Sequence, residues 1–196
     1  MNSNAIIDYL KNSLSENRFK HTMGVAKTAS ELARIYSADI EKANTAGLLH
    51  DCSKEKSIDE MLDIISKNGG AVDYISKKSS ALLHGIAGAY FAKEIFYIDN
   101  EIFDAIRYHT TGKANMSLLT KIIYIADYIE PGRNFPGVDN IRKIAFSNLD
   151  EAIIKACSNV IIHTVNKGGA VHPDTVDALN YLLLNNRGAA DEEIFI

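Results

Sequence analysis

The stretch at residues 46–56, AGLLHDCSKEK, decides how the whole chain is read. Four small or apolar residues, Ala46-Gly47-Leu48-Leu49, deliver His50 and Asp51 side by side. The chain then turns polar and basic through Ser53, Lys54 and Lys56. The run reads as a helix facing a core, and two adjacent polar groups at its end are costly to bury without partners. Their presence needs a cause.

Outward from this stretch the chain is helical in pattern. It has three prolines (Pro131, Pro136 and Pro173), and no long segment alternates apolar and polar residues as a half-buried strand would. The periodicity predicts helices over about 4–14, 18–36, 40–51, 57–67, 80–97, 100–109, 117–130, 139–146, 149–167 and 174–186. Asp39, Ser57 and Asp99 stand where N-caps belong, and Gly69-Gly70, Gly112 and Gly168-Gly169 where helices end. The segment PGRNFPGV, 131–138, holds two prolines and two glycines and is a loop. The expectation is all-α: a single compact domain over 1–196, with a core about 18–130 and C-terminal helices about 139–186 packed on it. A homodimer is left open.

Composition narrows the class. With 46% hydrophobic and 23% charged residues the chain has the balance of a soluble globular protein. Its net charge of −4 argues against a nucleic-acid partner. No apolar run approaches the length of a membrane span, and MNSNAIIDYLKNSLSEN has no secretory pattern. Cys52 and Cys157 form no CxxC pair, so a cytoplasmic location and no membrane partner are expected. Cys52 reads as a small filler residue. Phosphate loops, GxGxxG, GxSxG elbows and deaminase motifs are all missing from the sequence.

Six histidines remain to be placed. His21 shares a helix face with Val25, Thr28, Leu32 and Ile35; His84 with Gly88, Phe91 and Ile95; His109 with Ile102 and Ile106. Asp127 lies in the apolar run KIIYIADYIE. Four imidazoles (His21, His50, His84 and His109) and two carboxylates (Asp51 and Asp127) thus occupy core-facing positions. Separate partners for all six would be needed at a few kcal/mol each, on the order of what an unsatisfied buried group costs. One bound cation, or two, answers them together, and neutral imidazoles with carboxylates suit zinc, iron or manganese. His163 and His172 read as structural or as supports behind the ligands.

Adjacent residues on a helix diverge by about 100°, so His50 and Asp51 can share an ion only where the helix ends and the backbone relaxes. This explains the opening stretch.

The order His21, His50-Asp51, Asp127 resembles the H…HD…D signature of the HD-domain metal-dependent phosphohydrolases. HTTG at 109–112, IADYIEPGR at 125–133 and LLHDCSK resemble the YqeK-type bacterial HD proteins, which are symmetrical bis(5'-nucleosyl)-tetraphosphatases. The likeness runs from RFKHTMGVA to HPDTVDALNYLL. It implies an HD-domain helical bundle that cleaves diadenosine tetraphosphate to two ADP with a metal-activated hydroxide. It also implies two divalent or trivalent transition-metal ions, iron in this subgroup, with manganese or cobalt as substitutes. His21, His50, Asp51 and Asp127 would hold the first ion; Asp51 would bridge to a second held by His84 and His109.

Lys54 and Arg133 lie close in sequence to these ligands and are expected to act on the phosphate chain, so the catalytic set is Asp51, Lys54 and Arg133. The substrate-binding set is Lys54, Thr110, Thr111, Gly112 and Arg133, with Arg18 and Lys20 as weaker candidates. The expected partner is a small dinucleoside polyphosphate or its nucleoside diphosphate product. Two rivals are weighed: another HD-type phosphohydrolase acting on mononucleotides or a ppGpp-like nucleotide, and a catalytically silent nucleotide-binding domain.

Overall fold

The computed structural model describes residues 3–186. Among them are ten α-helices and a 3-10 turn, with no strand. The helices are α1 (Ser3–Ser13), α2 (Glu16–Ile35), α3 (Ile40–Leu49), α4 (Ile58–Lys67), α5 (Ser80–Phe96), α6 (Asn100–Arg107), α7 (Leu118–Ile129), α8 (Val138–Ala145), α9 (Leu149–Asn166) and α10 (Pro173–Asn185). Each sequence-predicted helix is present. The starts are fixed by side chains: Asp39 accepts from the Lys42 N–H at 3.0 Å and Asp99 from the Ile102 N–H at 2.9 Å. Ser57 and Glu60 cap each other reciprocally.

Helix α7 is the central element. It packs against α2, α3, α6, α8 and α9. Its Ile122, Ile123 and Ile125 are fully buried. Burying each is worth about 1.5–3 kcal/mol, which holds Asp127 in place one turn further on. Met61, Ile65, Leu83, Ile86 and Ala87 form a smaller cluster that pins α4 to α5. Helices α8, α9 and α10 cover the far side through Ile141, Ile153, Ala156, Ala178 and Leu182.

Helices α2 and α3 approach each other closely. A Cβ on Gly47 would stand 2.7 Å from Ala26 Cα, so only glycine lets these backbones meet. That approach brings His21 and His50 together.

Three details differ from the sequence pattern. Helix α3 ends at Leu49, with His50 and Asp51 in the turn that follows, rather than running to residue 51. Ile35 and Ile95 are half-exposed, because the faces they extend run past the core near the ends of α2 and α5. The 3-10 turn Ser76–Lys78 was not apparent in the sequence; it is set by Asp73, whose Oδ1 accepts from the Ile75 and Ser76 N–H groups at 2.8 Å each. Among the described residues no helix is long and apolar enough to cross a membrane.

Candidate metal centre

Four helix ends and one helix face converge on a single buried point. His21 comes from the first turns of α2, His50 and Asp51 from the turn after α3, and His84 from the second turn of α5. His109 follows the end of α6 and Asp127 lies in the last turn of α7. His50, His84, His109 and Asp51 are buried; His21 and Asp127 are nearly so.

The imidazoles are oriented from behind. His50 Nδ1 lies 2.7 Å from the Gly47 carbonyl and His109 Nδ1 2.7 Å from the Ile106 carbonyl. His84 Nδ1 faces the Ser80 carbonyl at 3.2 Å, and His21 Nδ1 faces Glu130 Oε1 at 3.1 Å. An acceptor at Nδ1 assigns the proton to that atom and leaves a lone pair on Nε2. Yet the Nε2 atoms face one another: His21 and His50 at 3.3 Å, His84 and His109 at 3.0 Å. Burial pushes the His84 imidazole down to about 4, so it is neutral at pH 7. Lone pairs gathered in this way repel unless a cation stands among them. That is the observation that makes the residues fit a metal.

Asp51 lies between the two pairs. Its Oδ1 is 2.9 Å from His84 Nε2 and 3.7 Å from His109 Nε2, while its Oδ2 is 3.5 Å from His50 Nε2 and 3.7 Å from His21 Nε2. Asp127 Oδ1 stands 3.1 Å from His21 Nε2. Two ligand groupings result, His21-His50-Asp127 and His50-Asp51-His109, with the ligand atoms of each within 4.8 Å of one another. Neutral nitrogen and anionic oxygen donors without thiolates suit a first-row transition metal.

Three cations border the centre. Arg18 Nη1 donates to Asp51 Oδ2 at 2.7 Å. Arg133 donates through Nη2 to Asp127 Oδ1 and through Nε to the Asp127 carbonyl at 2.9 Å. Lys54 Nζ lies 3.2 Å from both ring nitrogens of His84, and burial lowers its pKa.

Thr110, Thr111 and Gly112 follow His109 beside α10. The two threonines line a cavity of about 30 Å3 with Asp73, Ser76 and His172. Thr111 Oγ1 donates to the Gly112 carbonyl at 2.9 Å, and Gly112 packs beside Ala178 and Met116. The chain after His109 runs past the start of α10. Lys20 is mostly exposed and pairs with Glu16.

Two positioning residues escaped the sequence reading. Glu130 is buried and holds His21, and a Cβ on Gly24 would stand 2.6 Å from its Oε2. It lies three residues after Asp127 on the same helical face, which was the available signal. Arg142 donates to the carbonyls of Ile129, Glu130 and Arg133 at 2.8, 3.2 and 3.2 Å. It clamps the loop that carries Arg133. Cys52 is buried against the Gly88 carbonyl, and burial pushes its thiol up to about 12, as suits a filler residue.

Comparison with known proteins gives a consistent picture. The HD domain family matches residues 18–132. A Halalkalibacterium halodurans protein named symmetrical bis(5'-nucleosyl)-tetraphosphatase is 42% identical over 95% of this chain and 100% of its own. A Bacillus subtilis protein of the same name is 41% identical over 93% of this chain and 98% of its own. A crystal structure from Clostridium acetobutylicum, described as a predicted HD superfamily hydrolase involved in NAD metabolism, matches with a TM-score of 0.92 and 46% identity. It covers 95% of this chain and 99% of that one.

Proposed function

The chain belongs to the HD domain family, and from that premise we propose that it hydrolyses diadenosine tetraphosphate symmetrically, adding one water to give two ADP. The observation that carries the reading is Asp51, whose two oxygens face two different histidine pairs. Two ions would be held by this donor set, the first by His21, His50, Asp51 and Asp127 and the second by Asp51, His84 and His109. Iron is the proposed metal, with manganese or cobalt as substitutes. Such ions, when bound, lower the pKa of water to supply a nucleophile near neutral pH and offset charge on a phosphoryl group.

The chain's own residues then have defined tasks. Glu130 and the Gly47, Ser80 and Ile106 carbonyls hold the imidazoles in the tautomer that presents Nε2. Arg18, Lys54 and Arg133 bind the tetraphosphate oxygens, and Arg133 has the planar fork for two parallel hydrogen bonds. Symmetrical cleavage requires attack at one of the two inner phosphorus atoms, and these cations register the chain so that two phosphates lie on each side of the broken bond. They also stabilise the ADP that leaves.

One domain carries the activity, its metal-site core over about 18–130. The substrate is a small molecule: the three cations each touch a residue of one buried His/Asp cluster, in a chain whose net charge is −4. Two buried, unpaired cysteines support a cytoplasmic setting.

The test is product analysis. Purified metal-loaded protein is incubated with diadenosine tetraphosphate and the products are separated by anion exchange. ADP alone is expected. ATP with AMP would move the point of attack and overturn the phosphate register, and no turnover in metal-replete protein would overturn the substrate.

A further inference from the structure

Arg18 and Arg133 come from different elements, yet each pairs with a carboxylate oxygen that faces the His21-His50 pair. Arg18 Nη1 donates at 2.7 Å to Asp51 Oδ2, the oxygen 3.5 Å from His50 Nε2 and 3.7 Å from His21 Nε2. Arg133 Nη2 donates to Asp127 Oδ1, the oxygen 3.1 Å from His21 Nε2. We propose that these arginines are exchangeable counter-ions that couple metal affinity to phosphate. Each shares a ligand oxygen with the first metal position, weakens the hold on an ion there, and gives up that oxygen for a phosphate oxygen when one arrives. The proposal rests on the reading above for its phosphate, and on Asp51 and Asp127 as ligands for its metal.

Charge supplies the competition. A guanidinium is charged at any working pH, and a like charge a few ångströms from a divalent ion opposes it. Phosphate and carboxylate oxygens accept the same fork of N–H groups, so the exchange keeps the hydrogen bonds of the arginine.

Exposure supplies the route. The Arg18 and Arg133 side chains are 30% and 38% exposed, whereas those of Asp51 and Asp127 are 4% and 19% exposed. The guanidiniums thus stand on the solvent side of their carboxylates, where an incoming anion meets them first. Arg133 also has a pivot. Its Nε donates to the Asp127 carbonyl at 2.9 Å, and Arg142 donates to its carbonyl at 3.2 Å, so only the Nη edge has to turn.

Linkage gives the consequence. A phosphate that draws the guanidiniums from the ligand oxygens tightens the metal, and the metal tightens phosphate by the same factor. The centre holds its ions most firmly while phosphate is bound, and the arginines return to Asp51 and Asp127 as the product leaves.

The experiment is competition for manganese between the protein and a chromogenic chelator, with and without inorganic phosphate. Arg18→Gln and Arg133→Gln remove the charge and keep a hydrogen-bond donor; Arg133→Lys keeps the charge. Without phosphate each Gln variant is expected to bind manganese about tenfold more tightly than wild type, the scale of one partly screened like charge, with Arg133→Lys within about twofold. Phosphate should tighten manganese in wild type and do so less in the Gln variants. Because the two arginines lie on separate elements, either Gln variant serves if the other fails to fold. Unchanged or weaker manganese binding in the Gln variants overturns the exchange and makes the arginines supports that hold the carboxylates for the metal. Equal tightening by phosphate in wild type and variants overturns the coupling. The expected manganese pattern in wild-type protein that fails to cleave diadenosine tetraphosphate would leave the exchange standing and remove the hydrolase reading.

Discussion

The Nε2 atoms of His84 and His109 stand 3.0 Å apart, each on a ring whose Nδ1 faces a main-chain carbonyl. With both protons drawn to the back of the rings, two lone pairs confront each other in a buried space. Asp51 Oδ1 adds negative charge at 2.9 Å from His84 Nε2. A helix bundle gains nothing from this arrangement by itself.

Removing Asp51 therefore separates fold from function. Asp51→Ala is expected to lose metal and reduce turnover to background while far-ultraviolet circular dichroism is retained. The side chain is buried and pairs with histidines and Arg18, so some stability changes, but no core packing is lost. Full turnover in this variant would contradict a shared carboxylate.

Glu130 acts one step back. Glu130→Gln keeps the shape and replaces the carboxylate that faces His21 Nδ1 with a neutral amide. Metal affinity is expected to fall about 10–100-fold, as for other carboxylates that orient ligating histidines. Competition against a chelator of known affinity measures it, and unchanged affinity would reduce Glu130 to a capping role through Gly132.

Gly47 links packing to the centre. Gly47→Ala forces α2 and α3 apart, because the new Cβ meets Ala26 Cα at 2.7 Å. Overpacking of this kind costs about 1–3 kcal/mol, and a chain of this length loses about 2–4 °C in Tm per kcal/mol. Because the same crossing sets the 3.3 Å separation of His21 and His50, metal affinity should fall with Tm. A lower Tm with metal binding intact would show that the centre tolerates the displacement.

Asp73 predicts a pH dependence away from the metal. Partial burial works against its ionisation, but hydrogen bonds from Ser76 and the nearby His172 imidazole hold its carboxyl below the usual range. A group more acidic in the folded state stabilises the fold above its unfolded value, about pH 3.9, and that contribution is lost as pH falls through the lower folded value. Asp73→Asn should thus be less stable than wild type at pH 7. The difference in urea midpoint should shrink as the pH is taken well below 4; a constant difference would contradict the assignment.

Much of this was legible in the sequence, for a physical reason. His21, His84 and His109 sit on apolar stripes, and a polar group on such a stripe is visible by its neighbours. The His50-Asp51 pair was informative because it closes an apolar run, where the backbone can turn both side chains inward. Glu130 gave only its spacing from Asp127, and Arg142 resembles an ordinary surface residue at a helix end; the contacts of both depend on the PGR loop folding back. Arg18 likewise reads as a first-turn surface cation until α3 delivers Asp51 to it. Thr110, Thr111 and Gly112 follow a ligand in sequence, but their neighbours on α10 come from about 60 residues further along the chain and are invisible to periodicity. Close approaches such as Gly24 on Glu130 depend on tertiary contacts that periodicity does not reveal.

The most direct test is to count and locate the metal. Protein loaded with iron under reducing conditions is analysed by elemental mass spectrometry, and its crystals by anomalous scattering at the iron edge. Two ions per chain, one on each side of Asp51 between His21-His50-Asp127 and His84-His109, are the expected result. A single ion on one side, or none, would contradict the shared carboxylate and with it the proposed chemistry.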